Sequence, residues 1–171
     1  MPAGLAPVRA RMFVFLAIFL TSAGFDQASK EWARDTLAPH VTTPVIQGYW
    51  DWQLERNPGA AFSLFAGTGE NATRVGFAIV AVLAMIAVGI AALRTRPEQR
   101  MRRVAYALIA GGALGNVIDR IAAGSVTDFV RWHVHAHLWP VFNLADAVLL
   151  IGVALVLVES ARRPRPQPAT G

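Results

Sequence analysis

Cysteine is absent from all 171 residues. Disulfides, thiolate nucleophiles and cysteine-ligated metals are therefore excluded, and no redox compartment can be read. Charge is scarce as well. Asp, Glu, Lys and Arg make up 16% of the chain, well under the roughly 25% of an ordinary soluble protein. Apolar residues reach 54% and fall in long blocks, which points to membrane spans more than to one soluble core. Acids are the scarcer sign, leaving a formal net charge of +5. The arginines cluster beside the apolar blocks, so they speak for orientation in a membrane, and no nucleic-acid partner is expected. No internal repeat is present.

Four apolar blocks stand out. The clearest, residues 72–93, carries one charge, Arg74, near its edge, and a span needs roughly 20 apolar residues. The first block, 12–25, runs straight into Asp26, Lys30 and Glu31, so a helix of spanning length carries Asp26 near its far end. The third, 104–118, meets Asp119 and Arg120, and the fourth, about 140–158, holds Asn143 and Asp146 in its first two turns. The first block also has the outline of a cleaved signal peptide, with Arg9 and Arg11 ahead of it and a weak Thr21-Ser22-Ala23 cleavage motif. The three further spans and the polar cluster after Ala23 argue against that reading. The predicted fold class is thus an all-α membrane protein with four transmembrane helices. Residues 1–160 form one domain, and residues 161–171 a disordered tail rich in Arg and Pro.

Arginine counting predicts that both termini face the cytoplasm. The cytoplasmic pieces then hold 10 of the 16 basic residues against two acids, Glu98 and Glu159. Between the first two helices, Trp50, Trp52 and Leu54 alternate with Asp51, Gln53 and Glu55, which is strand periodicity. Asn57-Pro58-Gly59 interrupts it like a turn. This predicts a small extracytoplasmic β-sheet, with tryptophans at the lipid interface. Residues 121–139 simply link the last two helices.

Ionisable groups in spans cost about 2.5–3.5 kcal/mol each at a helix centre and persist when they pair or function. The informative charged and polar residues here are Asp26, Lys30, Asn116, Asp119, Arg120, Asp128, Asn143 and Asp146, all toward the outer face in this topology. Asp26 and Lys30 are spaced i,i+4 and can pair. Asn116, Asp119 and Arg120 share one helical face, as do Asn143 and Asp146. Asp119 and Arg120 can be a helix-end ion pair. Asp146 lies seven residues past Trp139, about 10 Å along a helix, below the surface but open to water. It has no basic residue close in sequence, and Asp128 is the natural candidate to share its site. Two adjoining carboxylates share a proton, so one can act as general base and the other as general acid. Spacing alone leaves proton relays and ion paths open. His133, His135 and His137 would share one face of a strand and could bind a metal, but a polar loop is the simpler reading, and no acid lies within the run.

Five segments resemble the motifs of the lipoprotein signal peptidase (signal peptidase II) family. They are Asp26-Gln27-Ala28-Ser29-Lys30, Asn57-Pro58-Gly59-Ala60-Ala61-Phe62-Ser63, the run from Gly111 to Asn116 and on to Asp119-Arg120, Val126-Thr127-Asp128-Phe129, and Phe142-Asn143-Leu144-Ala145-Asp146. The resemblance implies a four-helix inner-membrane aspartic protease without cofactor or metal. It would remove the signal peptide of prolipoproteins just before a diacylglyceryl-modified cysteine. Asp128 and Asp146 would be the catalytic pair. Asp26, Lys30, Asn57, Gly59, Asn116, Arg120 and Asn143 would shape the site and hold substrate, and Asp119 would be structural, orienting Arg120. The external sheet would form a cradle over the lipidated substrate. Membrane lipids and globomycin, the family's inhibitor, complete the implied partners. Gly111, Gly112 and Gly115 would let another helix, or the substrate, approach closely. The competing class is a small transporter or proton-conducting subunit. A pathway needs polar groups at both depths, whereas the cytoplasmic halves of the spans offer only Tyr106.

Overall fold

The computed structural model describes residues 5–59 and 70–162. The chain runs α1 (Leu5–Thr36), β1 (Thr42–Ile46), β2 (Trp50–Asn57), α2 (Glu70–Leu93), α3 (Arg100–Ala123), β3 (Val126–Val134), β4 (His137–Leu138) and α4 (Leu144–Ala161). The stretch from Ala60 to Ser63 and the tail beyond Arg162 lie outside the described residues.

Among the described residues, three helices are long and apolar enough to cross a membrane: α1 over Val8–Thr36, α3 and α4. The described apolar part of α2, Ile79–Leu93, is shorter. The distribution of side chains is that of a protein with lipid outside. Phe13, Leu20, Phe25, Val80, Leu150 and Leu157 are exposed, while the largest fully buried side chains are Lys30, Asn143 and Asp26. Water would reverse that arrangement.

The central helix is α3, which packs against α1, α2 and α4. Small residues make this possible. A Cβ on Gly111 would lie 2.8 Å from the Phe19 carbonyl oxygen of α1, and one on Gly112 would lie 2.5 Å from the Ala145 carbonyl oxygen of α4. A Cβ on Gly115 would strike the Asp26 carboxylate. These glycines therefore admit neighbouring helices, not a ligand.

The sheet departs from expectation. It has four antiparallel strands in the order β1-β2-β3-β4, and two come from the segment read as a mere link between the last two helices. Residues 126–134 lack the strict alternation of β2, because the start of β3 is buried on both faces: Val126, Thr127, Asp128 and Phe129 are all buried. Trp52 packs on Phe129 of β3 and Trp32 of α1, at 5.9 and 5.1 Å between ring centroids, and so seats the sheet on the bundle. The histidines do not share a face. His135 has φ 52° and turns the chain, leaving His133 on β3 opposite Leu138, and His137 on β4 opposite Val134. The ring of His133 sits 3.1 Å from Asp51, which also takes two hydrogen bonds from Arg131.

Helix ends also shift. The fourth helix starts at Leu144, not near Pro140. Asp146 therefore sits in its first turn, and the depth of about 10 Å reckoned from Trp139 along a helix does not apply. The third helix runs past Ile118 to Ala123, where Gly124, with φ 72°, ends it by donating its N–H to the Arg120 carbonyl.

Candidate active site

Three local devices bring distant residues to one place. First, Gly124 reverses α3, so that β3 begins two residues later. Asp119 then accepts the Thr127 N–H at 2.8 Å, which fixes the residue before Asp128. Second, β2 pairs with β3 with Asn57 opposite Val126. This puts Asn57 diagonally across from Asp128 on the same sheet face, and its Nδ2 donates to Asp128 Oδ2 at 3.0 Å. Third, Phe142 bridges to Val130, which delivers Asn143 to the N-cap of α4. Asn143 and Asp146 close a reciprocal capping box, with Asp146 N–H donating to Asn143 Oδ1 at 3.1 Å and Asn143 N–H to Asp146 Oδ2 at 3.2 Å.

Two asparagines join the two aspartates. Asn143 Nδ2 donates to Asp128 Oδ1 at 2.6 Å and to Asn116 Oδ1 at 3.1 Å. Asn116 Nδ2 donates to Asp146 Oδ1 at 2.8 Å. The run Asp128–Asn143–Asn116–Asp146 thus spans β3, α4 and α3. Asp128 is buried and Asp146 half-buried. Burial pushes the Asp128 carboxyl up to about 6, against the opposing hydrogen bonds from Asn57 and Asn143 and with help from the Asp146 charge. An aspartic acid that keeps its proton toward neutrality beside a second carboxylate is equipped for general acid–base chemistry.

Beneath lies a charged anchor. Lys30 Nζ is fully buried, 2.8 Å from Asp26, 3.4 Å from Asp119, and donating at 2.8 Å to Asn116 Oδ1. Asp26 Oδ1 accepts the Ala145 N–H at 2.8 Å. Gln27 donates to the Gly115 carbonyl at 2.9 Å. The expected Asp26–Lys30 pair therefore exists, but both residues are fully buried and present no surface to a substrate. They orient Asn116 and the start of α4. Asp119 faces Lys30, Thr127 and Arg34 (3.9 Å), and Arg120 Nη1 donates to the Asn116 carbonyl at 3.2 Å. Gly59, with φ 93°, donates its N–H to Asn57 Oδ1 at 2.9 Å and so fixes that amide. Arg34 was not singled out from the sequence. Its position four residues after Lys30, on the same helix face, was the available signal.

Asp119→Asn should lower the yield of folded protein more than the turnover of each folded molecule. The amide still offers Thr127 an oxygen but gives Lys30 and Arg34 no counter-charge. Yield and rate per folded molecule, measured separately, check this; a well-folded but inactive variant would give Asp119 a chemical part.

Comparison with known proteins points one way. The family model described as signal peptidase (SPase) II matches residues 18–162. The lipoprotein signal peptidase of Xylella fastidiosa (strain 9a5c) is 38% identical over 169 residues, covering 93% of this chain and 97% of that protein. The lipoprotein signal peptidase of Xanthomonas axonopodis pv. citri (strain 306) is 37% identical over 166 residues, covering 92% of each. A bacterial membrane enzyme solved by the in meso method at 1.9 Å superposes with a TM-score of 0.79 at 28% identity, over 88% of this chain and 94% of that one. A second such structure, at 2.3 Å, gives 0.75 at 27% identity over 92% and 94%. With three apolar spans and a match over most of its length, the chain is a multi-pass membrane protein that belongs to the signal peptidase II family.

Proposed function

We propose that this protein is an intramembrane aspartic endopeptidase that removes the signal peptide of prolipoproteins, cutting before the diacylglyceryl-modified cysteine. The observation that carries the reading is the link from Asp128 to Asp146 through two buried asparagine amides. A carboxylate at Asp146 takes a proton from water as its oxygen attacks the scissile carbonyl carbon. Asp128, carrying the shared proton, gives it to the carbonyl oxygen. Collapse of the tetrahedral intermediate breaks the C–N bond. The nitrogen takes a proton from Asp146 and Asp128 recovers its own, leaving the pair ready for another cycle. Asn143, fully buried, and Asn116 hold the two aspartates in place, and Asn57, Gly59 and Arg120 hold the site and the substrate backbone, which finds no water in lipid to satisfy it. Asp26 and Lys30 support these residues from below. Globomycin would act at the same two aspartates.

The test is a rate comparison on one precursor with and without its diacylglyceryl group. The lipidated form should be cut far faster, because the acyl chains supply binding energy that positions the scissile bond. Equal rates would instead indicate a general signal peptidase.

We further propose that α2 crosses the membrane as a fourth span, that both termini are cytoplasmic, and that the aspartates lie near the outer face. Arginine asymmetry supports this. Single cysteines replacing Thr43 or His135 should react with an impermeant thiol reagent in intact cells, and one replacing Gln99 should not. The cysteine-free chain supplies a clean background, and labelling only at position 99 would invert the orientation.

A further inference from the structure

At the end of the bundle remote from the aspartates, Arg11 of α1 and Arg103 of α3 stand between two apolar crevices. One, of about 330 Å³, is walled by Met12, Phe15, Gly89 and Leu93 of α1 and α2. The other, of about 400 Å³, is walled by Val14, Phe15, Ile18 and Val104 of α1 and α3, with Arg100 at its edge. Both volumes fall in the roughly 300–1,000 Å³ range of ligand sites. Arg11, Phe15 and Arg103 border both crevices.

The charge here is one-sided. Arg103 feels the like charges of Arg11 and Arg100, with Glu98 opposing them. It donates to the carbonyls of Arg96 at 3.1 Å and Pro97 at 3.2 Å, which hold the guanidinium at the helix end. The other acid at this end, Glu159, is engaged by Arg102 at 2.8 Å. Arginines clustered where apolar helices meet the membrane surface attract anionic headgroups.

We propose that this junction binds one anionic diacylglycerophospholipid from the leaflet at the N-terminal end of α1. Its phosphate sits between Arg11 and Arg103, and each crevice takes one acyl chain. Two apolar crevices that meet at shared cations match two chains that meet at one glycerol phosphate. A free phosphate would leave both crevices empty, and a zwitterionic lipid would bring its own cation against the arginines. The inference rests on the helices lying in a membrane and is independent of the peptidase reading.

The test is native mass spectrometry of the full chain in detergent, with equimolar phosphatidylglycerol and phosphatidylcholine of identical chains. One phosphatidylglycerol should be retained, favoured about tenfold or more, and excess inorganic phosphate should not displace it. The double variant Arg11→Gln/Arg103→Gln should lose that preference. Gly89→Leu provides a second variant that leaves the charges in place: a Cβ at Gly89 meets nothing within 4 Å, so the larger side chain fills the first crevice without moving the backbone. It should weaken retention while leaving the unfolding temperature near that of the parent. Equal retention of both lipids, displacement by phosphate, or retention unchanged in Gly89→Leu would each overturn the proposal.

Discussion

Asp128→Asn and Asp146→Asn should each lower the rate of prolipoprotein cleavage by about 10³-fold or more, and the double variant should be little worse than either single one. Proton transfer by a positioned carboxyl contributes about 10²–10⁴-fold, and groups that act as one unit are strongly non-additive on removal. The bonds around Asp128 also set what its variant does to stability. Asn57 Oδ1 is held by the Gly59 N–H and Asn143 Oδ1 by the Asp146 N–H, so both amides aim their Nδ2 at Asp128. An asparagine at position 128 must face one of these donors with its own NH₂, which costs about 1–3 kcal/mol. Against this, the native carboxyl keeps its proton to about 6 while the unfolded group releases it near 3.8. Between those values the native state binds more protons, so stability falls as pH rises, by about 3 kcal/mol in all. The variant escapes that loss. The two effects nearly offset each other at neutral pH, so Asp128→Asn should remain folded, and the pH dependence of its unfolding temperature between about 4 and 6 should flatten. A variant that unfolds outright at neutral pH would show that the carboxyl is structural first.

Lys30→Met should have the largest effect on stability. It strands Asp26 and Asp119 in the protein interior, with Arg34, at 3.9 Å from Asp119, as the remaining cation within ion-pair reach among the described residues. Removing one partner of a buried ion pair costs about 3–5 kcal/mol. Lys30→Arg should not rescue it, because the bulkier guanidinium has no room among three acceptors at 2.8, 3.4 and 2.8 Å. Adding Asp26→Asn to Lys30→Met should recover part of the loss by removing one uncompensated charge. Unfolding temperatures in detergent measure all three. An unfolding temperature for Lys30→Met equal to that of the parent would remove Lys30 from the framework.

The helices were legible because apolar blocks of spanning length have no other stable use, and β2 was legible from its alternation of tryptophan and leucine with polar residues. β3 was not, because its first four residues are buried on both faces and Asp128 among them resembles a loop acid. The polar residues likewise announced themselves by their cost in lipid, and the i,i+4 spacing gave the Asp26–Lys30 pair. Their division into a group around Asp128 and Asp146 and a charged anchor around Lys30 could not be read, since it depends on how closely the glycines of α3 admit α1 and α4. The capping box of α4 was readable in principle: Asn143 followed three residues later by Asp146, ahead of an apolar run, is a helix-start pattern. That pattern places the helix start at Leu144, four residues after Pro140.

Position of cleavage in a purified system is the most direct measurement. The protein, reconstituted in lipid with one diacylglyceryl-modified precursor, should release an intact signal peptide and a product whose first residue is the lipidated cysteine, as read by mass spectrometry. Asp128→Asn and Asp146→Asn proteins of verified fold should yield neither product above background. Cleavage at another bond, or wild-type rates from either variant, would contradict the assignment of these two aspartates to prolipoprotein hydrolysis.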